Sequence, residues 1–211
     1  MMVEVERKKQ MSMNNLVLLF FLFFSCHQSE KKIQEKIENE TVITEKFSKP
    51  DFKINQLELR EENSLTNFYS QNIKLLDHLR YSPVTIFTDK EKKEYLIAYQ
   101  YEGDVKNSFS CFEVGHLKDD PKLEKEDVVK TKYDNFMTES GLKLGITLEE
   151  ITNLKGSDFK VEKKPNEEII RYTIDNPDDP KIKQYEMPPY FMEFYLKDKK
   201  VYKIIFGFEY P

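Results

Sequence analysis

The apolar positions of this chain change spacing several times, and each spacing predicts a different element. Leu16–Phe24 is unbroken, nine apolar side chains in a row. As a helix this run would rise about 14 Å, at about 1.5 Å per residue. A bilayer core of about 30 Å takes roughly 20 apolar residues to cross, so the run is too short to span. From His27 to Pro50 the pattern dissolves into charge: Glu30-Lys31-Lys32, Glu35-Lys36, Glu38, Glu40, Glu45-Lys46. Such a stretch buries too little apolar surface to offset the entropy of ordering it. Residues 26–50 are therefore expected to form a flexible charged tether.

From Asp51 onward the spacing becomes that of a folded domain. Ile54–Leu59 alternates weakly, as a short strand would. Leu65, Phe68, Tyr69, Leu76 and Leu79 recur at near-helical spacing behind Asn63-Ser64, which can cap a helix, and Pro83 bars its continuation. This predicts a helix over 65–80. Period-two runs follow at Val84–Thr88, Tyr95–Tyr101 and Phe109–Val114, with short turns between them. In the second run Tyr95, Ile97, Tyr99 and Tyr101 share one face.

Thr147 and Glu150 then form a capping box, with Ile146 and Ile151 placed as a hydrophobic staple. Leu148, Ile151 and Leu154 supply the buried stripe, and Gly156 ends the helix. Ile169–Ile174 alternates, Asp175–Pro180 is turn-rich, and Tyr190–Leu196 with Val201–Tyr210 reads as a last hairpin. Tyr190, Met192, Phe194 and Leu196 fall on one face; Tyr202, Ile204, Phe206, Phe208 and Tyr210 fall on one face of the partner. The predicted fold is α+β: antiparallel β-meanders with a few short helices packed on one face, in one domain over 51–211. The order helix-meander, helix-meander also fits two halves, 51–135 and 136–211.

Charge narrows the partners. The net charge is −5, and acidic and basic residues are interspersed without a basic face. Nucleic acid is a poor partner for such a surface. The histidines His27, His78 and His116 show no metal-ligand spacing. Cys111 and His116 suggest a nucleophile and base, but Cys111 stands inside a strand pattern with Phe109 and Phe112 and reads as a buried, inert thiol. Asp175, Asp178 and Asp179 match no calcium loop. A Gly-rich phosphate loop and a G-x-S-x-G elbow are both missing. No catalytic residue, cofactor-binding residue or metal ligand is expected. The Tyr and Phe residues at strand spacing read as core.

Two resemblances add to this. Arg7, Lys8 and Lys9 precede the apolar run, and the small Ser25 follows it, as in a secretory signal over 1–25. Cys26 directly after Ser25 resembles the lipobox of bacterial lipoproteins, with Phe23 where that family usually has Leu. The resemblance implies that Cys26 carries lipid, palmitate included, and ties the chain to a membrane. Cys111 would then have no disulfide partner. His27 stands where an aspartate would signal inner-membrane retention in some bacteria, so the outer membrane is implied.

The stretch from Gly141 through Gly145, Ile146, Thr147, Glu150 and Ile151 to Gly156 resembles the entry helix of BamE/SmpA-type envelope lipoproteins and of the β-lactamase-inhibitor-protein-like fold. Over 138–211 this implies a helix before a three-stranded antiparallel sheet, and a binding or scaffolding role. The chain departs from that pattern in lacking a second helix before the sheet.

Two functional readings result. One is a lipid-anchored cell-envelope protein whose domain is a non-catalytic binding or scaffolding module, with an envelope protein as partner. The alternative is a secreted or periplasmic hydrolase whose active site is built from dispersed carboxylates, which need only spatial proximity.

Overall fold

A computed structural model describes residues 47, 49–71, 83–123 and 126–210. The Leu16–Cys26 run and nearly all of the expected tether lie outside these residues. A small ladder, β1 (Lys53–Ile54) with β2 (Leu57–Glu58), stands where one weak strand is expected, and leads into helix α1 (Ser64–Phe68). This helix ends earlier than its spacing predicts. Tyr69 is already extended at φ −147°, and residues 72–80 of the expected helix lie outside the described residues. Asn63 makes no capping bond; Ser64 Oγ instead donates to the Glu61 carbonyl at 2.7 Å.

The period-two runs then form β3 (Val84–Thr88), β4 (Glu94–Tyr99) and β5 (Cys111–His116), an antiparallel meander. From β5 the chain crosses back past two strands to β6 (Val129–Lys130), which lies beside β3 and runs parallel to it. The sheet is therefore mixed, where an all-antiparallel meander is expected. Because β3 and β5 are both antiparallel to β4, β6 runs in the same direction as β5 as well as β3.

Helix α2 (Leu148–Lys155) begins on the capping box: Glu150 N–H donates to Thr147 Oγ1 at 3.4 Å, and Thr147 N–H to Glu150 Oε2 at 2.8 Å. Ile146 and Ile151 both lie in the core. The stripe differs from the expected one: Leu154 is 42% exposed, while Lys155 is buried.

Four strands follow, β7 (Lys160–Lys164), β8 (Glu167–Ile174), β9 (Tyr190–Lys197) and β10 (Lys200–Phe208), all antiparallel neighbours. The eight strands make one sheet in the order β6-β3-β4-β5-β10-β9-β8-β7. The two meanders meet where β10 pairs with β5, Ile204 opposite Val114 and Phe206 opposite Phe112. The Phe112 and Phe206 rings meet edge to face, centroids 5.5 Å apart.

One face of this sheet carries the main core. Phe87, Leu96, Phe112, Val114, Tyr172, Met192, Phe194 and Phe206 all point there, and Leu65 and Phe68 of α1 with Ile151 of α2 pack into the same cluster. The other face is fully buried toward β3–β5, where Val84, Ile86, Tyr95, Ile97 and Tyr99 gather, and Phe191 of β9 and Ile205 of β10 pack half-buried against them. Tyr202 departs from its expected side. The register slips between Val201 and Lys203, so Val201 joins the core with Ile204, and Tyr202 turns to the second face beside Tyr195. A bulge of this kind inserts one residue and reverses the alternation beyond it. The packed region also begins before Asp51: Phe47 is buried, its ring 4.8 Å from that of Tyr172.

Two variants test this packing. Phe206→Ala should cost about 3–5 kcal/mol, a large part of a domain stability of roughly 5–15 kcal/mol, and lower the melting temperature accordingly. The β9–β10 turn places Asp198 at φ 51° and Lys199 at φ 63°, a conformation that side chains resist and glycine accepts. Lys199→Gly should therefore raise stability by up to about 1 kcal/mol in a denaturant titration.

Candidate functional site

Three gatherings of polar side chains among the described residues bear on function. The first is buried beneath α2. Lys155 at the end of that helix puts Nζ 2.8 Å from Asp51 Oδ1, with side chains 0% and 2% exposed. Its ammonium also donates to the Lys49 carbonyl at 2.6 Å, Ser140 Oγ donates to Asp51 Oδ2 at 2.6 Å, and Tyr190 OH donates to the Asp51 carbonyl at 2.5 Å. Burial pulls the Lys155 ammonium below its ordinary 10.5, and Asp51 pulls it back up. Charge, donors and acceptors are matched within the group. With both charges out of reach of solvent, the pair is a clamp on the fold.

The second place lies on the other face of the sheet, over Gly115. Glu113 of β5 is a buried carboxyl. Register places it opposite Ile97, so Tyr95 and Tyr99 flank it on β4. Both phenols donate to it, Tyr95 at 2.8 Å and Tyr99 at 2.9 Å. Tyr95 reaches it by lying across Gly115, where a Cβ would stand 2.5 Å from the Tyr95 oxygen. That bare backbone floors a cavity of about 170 Å³, walled by His116, Asp119, Asp120, Tyr202 and Lys203. His116 also walls a wider cleft of about 570 Å³ with Asp89, Glu94 and Lys93. Burial first, and then Lys118, hold the His116 imidazole below its usual range. Burial holds the Glu94 carboxyl above its usual range.

Size and lining decide what these hollows can do. Small-molecule sites run to about 300–1,000 Å³ with mainly apolar walls. The first hollow is smaller than that. The second is large enough but walled by the exposed charged side chains of Glu91, Lys92 and Lys93. Glu113, the most buried carboxyl of the first hollow, is already engaged by two phenols.

The third place is the second face of β8–β10. Phe191, Tyr195, Tyr202 and Ile205 stand half-buried along it. Charges are interleaved with these rings. Arg171 lies 4.6 Å over Phe191 and pairs with Glu193 and, at 2.5 Å, with Glu209. Lys203 Nζ lies 4.0 Å over the Tyr195 ring, and Tyr202 donates to Glu167. Aromatic rings interleaved with charge, half open to solvent, make a surface suited to another macromolecule.

The residues singled out in the sequence fall apart from one another. His27, His78 and Cys26 lie outside the described residues. Cys111 is buried, and burial pushes its thiol up. It stands at the opposite end of β5 from His116, about 16 Å away at strand rise, so the two form no nucleophile–base pair. Asp178 pairs with Lys183 at 2.9 Å and Asp179 with Lys181 at 3.4 Å. Among the described residues no group of His, Cys, Asp or Glu is arranged to hold a metal ion, and no helix is long and apolar enough to cross a membrane. Glu113, Gly115, Asp51 and Lys155 gave no motif. Only the Tyr95–Ile97–Tyr99 alternation pointed near them.

The chain matches no model of a known protein family, no curated protein and no solved structure.

The buried clamp has a measurable signature. Lys155→Met leaves Asp51 buried without its cation and should cost about 3–5 kcal/mol. Adding Asp51→Asn to that variant should recover part of the loss. A double-mutant cycle read by thermal melts checks this, and purely additive effects would show the pair uncoupled.

Proposed function

We propose that this chain is a lipid-anchored bacterial cell-envelope protein whose domain binds or scaffolds another macromolecule without catalysing a reaction. The observation that carries the binding half is the second face of β8–β10. There Phe191, Tyr195, Tyr202 and Ile205 are left half open on an otherwise well-buried sheet. Residues of these types at a rigid, half-desolvated surface are those that dominate protein–protein interfaces. The anchoring half rests on Arg7, Lys8 and Lys9, the apolar run and Ser25-Cys26. Cys26 is the lipid attachment site in this reading, and the outer membrane is its place. The order α2, then β8–β9–β10, supports the likeness to BamE/SmpA-type lipoproteins, with β7 as an added edge strand.

The hydrolase reading draws on the carboxyls around Gly115. It is the weaker reading, because Glu113 is held by Tyr95 and Tyr99 and the hollow is small.

Replacing Cys26 with Ala in the producing bacterium should abolish labelling by palmitate and release the protein from membranes on fractionation. Unchanged labelling would overturn the anchor. For the face, Phe191→Ser with Tyr195→Ser should remove cross-links to envelope components while the domain still melts cooperatively, at a somewhat lower temperature because both rings are half-buried. Cross-links that persist unaltered place the interface elsewhere.

A further inference from the structure

The sheet has two edges, and they are built differently. At one end β6 is two residues long. At the other β7 runs for five residues, Lys160-Val161-Glu162-Lys163-Lys164, all exposed, about 17 Å of strand. It is paired along its whole length with β8 on one side. Among the described residues, the backbone of Lys160–Lys164 makes no hydrogen bond outside that ladder. Neither a proline nor a bulge interrupts it. An open row of backbone donors and acceptors is a template for a further strand.

The side chains decide which strand. Lys160, Glu162 and Lys164 lie on one face; Val161, 45% exposed, and Lys163 lie on the other. A second copy pairing antiparallel about Glu162 would set Glu162 against Glu162 and Lys160 against Lys164. Like charges directly opposite are destabilising, so the register that would pair all five residues with a second copy is disfavoured. A partner strand with acidic residues opposite the three lysines meets the reverse situation. The lysines hold only exposed, long contacts within the chain: Lys163 to Glu168 at 3.8 Å, Lys164 to Glu162 and Glu167 at 3.5 Å each. Such contacts are worth little and yield readily to an incoming carboxylate.

The geometry points to β7 as a docking edge for an extended acidic segment of a partner protein, added as a ninth strand. Antiparallel to β7, the matching segment reads Glu-Glu-Thr-Val-Glu. Its glutamates stand opposite Lys164, Lys163 and Lys160, its threonine opposite Glu162 and its valine opposite Val161. The backbone supplies attraction and the lysines supply selection. The anchor and the aromatic face play no part, so failure here leaves the reading above standing.

The test is fluorescence anisotropy on the full chain with a fluorescein-labelled peptide carrying that core. Two controls accompany it: the Lys-Lys-Thr-Val-Lys peptide, and the acidic peptide with every core amide N-methylated. The acidic peptide should bind roughly tenfold or more tighter than either control. Lys163→Glu with Lys164→Glu, its fold checked by a melt, should reverse the preference between the acidic and lysine peptides. Equal binding of the N-methylated peptide would reduce the effect to charge alone and overturn strand addition. Absence of binding by the acidic peptide overturns the proposal. A dimer of the full chain that the double variant converts to monomer also overturns it, since the edge would then take a second copy.

Discussion

The ladder between β5 and β10 holds the fold together. Without it the chain has two meanders, each with an open edge and half a core. With it, Val114 and Phe112 from one meander stand rung for rung against Ile204 and Phe206 from the other, and a single apolar surface runs under β3–β5 and β8–β10. Backbone contact at this seam is unusually close. Gly207 has φ +144°, and a Cβ there would stand 2.4 Å from the Ser110 carbonyl oxygen and 2.6 Å from Cys111 Cα. The seam tolerates no side chain at that point, and Tyr101 closes it from β4's end by donating to the Phe208 carbonyl at 2.6 Å.

The sequence displayed what is local. The Thr147–Glu150 box is visible because its partners lie three residues apart. The faces of β4 and β9 are visible because alternation is a property of one strand. Pairing is not local, so nothing in the sequence joins β5 to β10 or sets β6 parallel to β3. β7 leaves no signal in the sequence because an edge strand with both faces solvated carries no apolar alternation. Period-two spacing puts Tyr202 on the core side because it carries on through a bulge it cannot detect. The boundary at Asp51 missed Phe47, a single aromatic in a charged run, whose burial depends on Tyr172 far along the chain.

Lys155 shows the same limit at one residue. Helical spacing offers both Leu154 and Lys155 to the core, and hydrophobicity selects the leucine. The fold selects the lysine because Asp51, the Lys49 carbonyl and Ser140 are already gathered there. Buried pairs of this kind add little net stability over a well-packed apolar substitute, but losing one partner is costly. We read this pair as fixing where the incoming chain crosses α2. The candidate sites were illegible for a related reason. Glu113 becomes a site feature only through the register of β4 on β5, and Tyr202 joins the aromatic face only through the bulge in β10.

The same seam sets a timetable. Ile204 pairs with Val114 across ninety residues of chain. Loop closure over such a span must be completed before any of its contacts repay it, and topologies rich in distant pairings fold slowly. As the chain emerges during synthesis, β3–β5 is complete long before β10 exists, and β5 waits with an unpaired edge. That interval is when such a chain is most exposed to mispairing with its neighbours, and when a chaperone holding the nascent meander would matter most.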